Sequence, residues 1–259
     1  MEHGFRLPHD SVKEYVDGIL VMEHFQIDNP FTLPLFANGC PTLLFQTKKA
    51  RLNQQSAGHF TLFGQTIKPG ALILTETFTL IAYFFKPHSL ISLFNVAGNE
   101  LSDSHVDLHL LMQRESSELE EKLLNCTTAE KMILMLDNYI LKLIDKKRKD
   151  TQRIAFATTL IKENLQCDNL KSVQDNLCVT EKTLHRMFES NLGVSPRLYK
   201  RICRFNAAFQ QLNSRKFLKL TDIVYNNGYA DQSHFIRTFK EFTNITPTEY
   251  LKFAEISPD

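Results

Sequence analysis

Arg186 and Arg237 stand fifty-one residues apart in near-identical surroundings, Leu184-His-Arg186-Met-Phe188 and Phe235-Ile-Arg237-Thr-Phe239. A guanidinium on the outward side of a helix can donate two hydrogen bonds to guanine O6 and N7. The neighbouring residues supply the other groups used at base edges. Lys182 and His185 share a face with Arg186, and Gln232, Ser233 and Ile236 share one with Arg237. Gln matches adenine N6 and N7, and Ile packs on a thymine methyl. For a single helix, a solvated face is the simpler reading. For two at one fixed offset, each behind a tight turn, contact with double-stranded DNA is the better one.

The same offset relates Ser195-Pro196 to Thr246-Pro247 and Tyr199 to Tyr250. A repeat of this kind marks one supersecondary unit used twice. Each copy has a short helix, a turn and a longer capped helix, the parts of a helix-turn-helix. The units fall at about residues 170–192 and 221–243. Thr180 and Asp231 are the caps expected to satisfy free backbone N–H groups. Leu184, Met187 and Phe188 should pack inward in the first unit, Phe235 and Phe239 in the second. Glu181 and Glu189 join the outward face of the first.

Ser195-Pro196 and Thr246-Pro247 each place a capping hydroxyl before a Pro at the first helical position, and Glu249 completes a capping box. The helix from Pro196 to Leu212 should join the units rigidly. It carries Lys200, Arg201 and Arg204. Lys200 and Arg201 are candidates for phosphate contact, with a solvated or ion-paired face an equal reading.

The run from about Asn169 to Phe253 resembles the DNA-binding domain of the AraC/XylS family of bacterial transcription regulators. The resemblance rests on Leu184-His-Arg-Met-Phe188, Gly228-Tyr-Ala-Asp-Gln-Ser-His-Phe235, Phe235-Ile-Arg-Thr-Phe239 and Pro247-Thr-Glu-Tyr250. It covers about a third of the chain. It implies two recognition helices entering successive major-groove segments about 34 Å apart, with RNA polymerase as a further partner. The sequence departs from the family pattern at Gln174 and Val224 (a small Ala), at Cys178 (the turn Gly) and at Asn244 (a Gly). Asn tolerates the left-handed conformation. Gln174 and Cys178 predict a looser first unit.

The rest of the chain must position these helices. From about Asp17 to Phe85, β-prone runs alternate with turn residues: Gly18–Met22, Pro41–Phe45, His59–Phe63, Ala71–Leu74 and Thr79–Phe85. Short strands at such spacing favour a β-sandwich or small barrel. Pro87 is expected to open a helix through Phe94. Residues 107–164 read as helical, with Thr127-Thr-Ala-Glu130 as a capping box. Behind it, Ile133, Leu136, Tyr139, Ile140, Leu143 and Ile144 form one apolar face, read either as packing within the domain or as a homodimer seam. The following Asp145-Lys-Lys-Arg-Lys-Asp150 is most simply a solvated helix end, phosphate contact being the second reading.

The expected architecture is therefore α+β in two domains. Residues 1–110 form a β-rich sensory domain, 111–150 a helical linker that could dimerise, and 151–259 an all-α DNA-binding domain. The N-terminal part is similar, less specifically, to the cupin-like domains preceding this module in the family. That similarity implies a small-molecule effector or dimerisation. His105 and His109 have a spacing that can bind metal on a helix, with a polar helix face the plainer reading. Neither metal nor other cofactor is expected.

Composition agrees. With 43% hydrophobic residues, 20 Phe and no run of eighteen apolar residues, the 259-residue chain suits a soluble protein of two cores without a membrane span. The start lacks a basic segment followed by an apolar one, so no secretion signal is expected. Five cysteines without CxxC pairing suit a reducing cytoplasm. Residues 1–150 hold 15 Lys+Arg against 18 Asp+Glu, whereas 151–259 hold 15 against 11, so the positive part is the one with the repeat. No nucleophile elbow, phosphate loop or paired-acid arrangement is present, so no catalytic residue is expected. The rival reading is a small-molecule-binding or enzymatic cupin-like protein whose helical tail only mediates association.

Overall fold

The structure is a computed structural model describing residues 2–25, 29–53, 55–146, 150–166, 170–215 and 217–256. Lys147, Arg148, Lys149 and Cys167 lie outside the described residues.

Among the described residues, ten strands make two antiparallel sheets. They are β1 (Glu2–Arg6), β2 (Val16–Phe25), β3 (Phe31–Leu35), β4 (Thr42–Gln46), β5 (Ala50–Leu52), β6 (Gln55–Ala57), β7 (Phe60–Phe63), β8 (Gly70–Leu74), β9 (Phe78–Phe85) and β10 (His105–Asp107). One sheet has the order β1-β2-β9-β4-β7-β10 and the other β3-β8-β5-β6. The sequence FTLIAYFF of β9 is almost wholly buried because both of its faces are covered. Phe78, Leu80 and Ala82 point between the sheets, and Ile81, Tyr83 and Phe85 point to the helices outside.

Those helices are α1 (Ser89–Leu93), α2 (Gly98–Leu101), α3 (Leu108–Leu111), α4 (Gln113–Leu124) and α5 (Ala129–Asp145). Pro87 stands two residues before α1 rather than opening it; His88 is the N-cap. The stripe on α5 is spent inside its own domain. Leu136, Tyr139, Ile140 and Leu143 are buried against the six-stranded sheet, and Ile133 and Ile144 pack partly against the same core. Each fully buried side chain of this size contributes about 1.5–3 kcal/mol, so a dimer would have to use another surface.

The expected capping box of α5 does not form. The helix starts one residue later than that pattern requires, with Thr128 as N-cap, and Thr128 makes no side-chain cap bond. Instead Glu23 Oε1 of β2 accepts the Ala129 N–H at 2.8 Å, and Glu130 pairs with Arg6 at 3.2 Å. A long-range carboxylate has replaced the local one.

The C-terminal domain is α6 (Gln152–Glu163), α7 (Lys171–Leu177), α8 (Glu181–Leu192), α9 (Pro196–Asn213), α10 (Leu220–Asn226), α11 (Gln232–Thr243) and α12 (Pro247–Ile256). The chain is thus α+β, an N-terminal antiparallel β-sheet domain followed by a helical domain. Among the described residues no helix is long and apolar enough to cross a membrane.

Candidate nucleic-acid interface

The starts of α8, at Glu181, and α11, at Gln232, keep the sequence offset, and so do the starts of α9 and α12 at Pro196 and Pro247. Both caps form as expected. Thr180 Oγ1 accepts the Thr183 N–H at 3.2 Å, and Asp231 Oδ1 accepts the His234 N–H at 2.7 Å. Ser195 Oγ accepts from Leu198 N–H at 3.2 Å. The capping box of α12 is complete, Glu249 Oε2 accepting from Thr246 N–H at 2.7 Å and Thr246 Oγ1 from Glu249 N–H at 3.3 Å. These bonds pull Glu249 below the usual carboxylate range.

Two adjoining cores hold the helices. The first collects Val173, Leu184, Phe188 and Leu192 with Tyr199 and Cys203 of α9. The second collects Ile223, Val224, Phe235, Phe239 and Phe242 with Ile202, Phe205, Ala208 and Leu212 of α9. Phe205 meets Phe239 at 5.6 Å and Phe242 at 5.1 Å between ring centroids. Because α9 serves both cores, it sets the two units against each other.

The outward faces follow. Lys182, His185 and Arg186 are exposed on α8; Gln232, Ser233 and Arg237 are exposed on α11, and Ile236 is half-buried. Within the first face Glu181 pairs with Arg197 at 3.5 Å and Glu189 lies 3.9 Å from His185. Arg237 Nε donates to Ser233 O at 3.4 Å, so its guanidinium lies along the helix. Arg201 takes the ion-paired alternative to phosphate contact, and Lys200 is turned into the fold. Lys200 is buried, 6% exposed, because α9 is covered on both sides. Arg201 is ion-paired with Glu241 at 2.5 Å and sits over the Phe242 ring at 5.7 Å. Lys240, one turn after Arg237 in the last turn of α11, is also exposed.

The turn of the first unit has the backbone of a glycine without being one. Cys178 lies at φ 51°, ψ 48°, and Asn244 ends α11 at φ 65°. A left-handed L-residue costs roughly 1–2 kcal/mol, and Asn pays less because its side chain bonds locally. Buried Cys40 and Cys203 are different in kind. Burial pushes their thiols up to about 12 and about 11, so both stay protonated.

His105 and His109 do not form a pair on one helix. His105 is on β10 with its ring 5.6 Å from that of Phe63, whereas His109 is on α3. His109 Nε2 lies 2.8 Å from Glu120 Oε2, and its Nδ1 lies 2.8 Å from Ser116 Oγ. The trio has the residue types of a hydrolytic triad, yet Ser116 is wholly buried and its hydroxyl also lies 2.8 Å from Met112 O. It ties α3 to α4. Among the described residues no three metal-ligating side chains gather.

Residues 174–252 match a helix-turn-helix domain family, and residues 5–107 match a domain of unknown function, DUF6597. The C-terminal domain is of the AraC/XylS type. The HTH-type transcriptional activator RhaS of Escherichia coli O1:K1 / APEC is 26% identical over 145 residues, 54% of this chain and 51% of RhaS. The chain thus spans about half the length of the curated relatives it matches. In fold the likeness extends further. ToxT from Vibrio cholerae covers 90% of this chain and 96% of its own at 15% identity and a TM-score of 0.54. An unsaturated fatty acid-bound ToxT covers 90% and 94% at 16% identity and 0.53.

Proposed function

We propose that this protein is a sequence-specific DNA-binding transcription regulator in which α8 and α11 read successive major-groove segments. The observation that carries this reading is the pair of capped helices with exposed Lys182, His185 and Arg186 on one and Gln232, Ser233 and Arg237 on the other. The N-terminal residues of a recognition helix are the ones that reach base edges, and these lie in the first two turns of each. The relation to RhaS supports transcription as the process regulated.

The N-terminal domain is proposed to take a small effector. A groove of about 480 Å³ opens where it meets α6, lined by Lys86, His88, Thr151, Thr159 and Lys162 among others. Lys162 Nζ donates to Asp17 Oδ2 at 2.9 Å across the junction. Burial pulls the Lys162 amine down, but Asp17 outweighs it and holds the amine above its ordinary value. ToxT, with the same fold, has been solved with an unsaturated fatty acid bound.

The test is the salt dependence of binding to bulk duplex DNA. Neutralised phosphates release counterions, so affinity should fall linearly on a log–log plot as salt rises. Affinity unchanged between low and moderate salt would contradict the assignment.

A further inference from the structure

Two loops at one end of the six-stranded sheet are tied into one piece. Asp103 Oδ1 accepts the N–H groups of Ile67 at 3.1 Å and Lys68 at 2.9 Å, and the Asp103 N–H donates to Gln65 O at 2.8 Å. The piece meets the helical domain at two points. Ile67 packs against both helix-turn-helix cores at once. Nearby, α2 packs on the end of α8. A β-carbon on Gly98 would overlap the Gly193 nitrogen and the Leu192 backbone, and one on Gly193 would overlap Gly98 O. Ser102 Oγ donates to Gly193 O at 3.0 Å.

Gly193, at φ 75°, is the residue that ends the first recognition helix. The N-terminal domain therefore holds α8 by its C-terminal end and leaves Lys182, His185 and Arg186 open. The second unit is gripped elsewhere. Phe36 lies 5.5 Å from Phe209 of α9 and 6.5 Å from Tyr250 of α12, while α11 packs on α9, α10 and α12. The first unit is also the one whose turn carries the strained Cys178.

We infer that the N-terminal domain completes the first reading unit, orienting α8 through the Gly98–Gly193 clasp, and that a change in the N-terminal domain is transmitted to DNA through this unit rather than the second. A helix held before binding pays less ordering cost on binding. The DNA consequence rests on the proposed function; the clasp itself does not.

Gly98→Ala in the full chain tests it, because Gly98 is not in the left-handed region and the nearest atoms its new methyl would meet, Gly193 N and the Leu192 backbone, lie across the junction. Ser102→Ala removes one hydrogen bond and no volume, and serves as the milder variant. Amide hydrogen exchange should speed about tenfold or more over residues 181–193 in Gly98→Ala, with β2, β9 and α11 unchanged. Affinity for DNA bound by both units should weaken roughly 5- to 10-fold, within the range of site-to-site coupling, and Ser102→Ala should move both readouts the same way by less. Unaltered exchange in α8, or equal acceleration in α8 and α11, would overturn the inference. A wild type that binds no DNA would instead defeat the proposed function, leaving the exchange result to judge the clasp.

Discussion

Thr180 and Asp231 occupy matching positions in the two repeats and do the same work, each accepting the backbone N–H three residues on. Both α8 and α11 are therefore fixed at the end proposed to meet DNA, where unpaired N–H groups would otherwise fray the first turn. Thr180→Ala should cost about 1 kcal/mol, within the usual 0.5–2. Asp231→Ala should cost at least as much, since it also removes a negative charge from a helix N-terminus. Asp231→Asn should recover most of that loss. Urea denaturation of the three variants decides it, and two neutral alanine variants would count against the capping assignment.

The Cys178 turn should be improvable. Cys178→Gly removes the left-handed penalty of roughly 1–2 kcal/mol but gives the unfolded chain back about 0.5–1 kcal/mol of entropy. A net gain of a few tenths to about 1 kcal/mol is expected, read as a higher Tm. A lower Tm would mean that the strain is illusory.

Asp137 ties α5 to the sheet by accepting the Tyr83 hydroxyl at 2.9 Å. Burial raises its carboxyl above the ordinary value, and the Tyr83 bond only partly opposes that. Because the folded-state value is the higher one, this group's stabilisation is full at acid pH and lost as pH rises through it. Asp137→Asn keeps an oxygen for Tyr83 and cannot ionise. Its Tm relative to wild type should therefore be more favourable at pH 7.5 than at pH 4. A constant difference across that range would show that Asp137 titrates normally.

The helical repeat was legible in the sequence because caps, anchors and turn residues act within a few positions of one another. Thr180, Asp231, Ser195 and Thr246 all cap the helices expected of them. The strands at β2, β4, β7, β8 and β9 were legible for a similar reason, since β-prone runs and the turn residues that bound them are local signals. What escaped depends on partners far along the chain. Glu23 caps α5 from 106 residues away, displacing the local box. Lys200 is buried because α9 lies between two cores, which an isolated helical pattern does not disclose. The loops bearing Phe36 and Ile67, and the single turn of α2 that begins at Gly98, are too short to show periodicity; only the assembled fold brings them against the helical domain.

The central claim, that α8 and α11 read DNA sequence, is tested most directly by selecting bound sequences from a random duplex pool with wild type, Arg186→Ala and Arg237→Ala. Loss of a base-reading guanidinium should cost about 1–3 kcal/mol and relax preference at one or two base pairs. Each variant should lose preference in a different half of the wild-type motif, with the larger loss from Arg237→Ala because the strained Cys178 turn makes the first unit the weaker reader. Recovery of the unchanged wild-type motif from the Arg237→Ala pool would contradict the account.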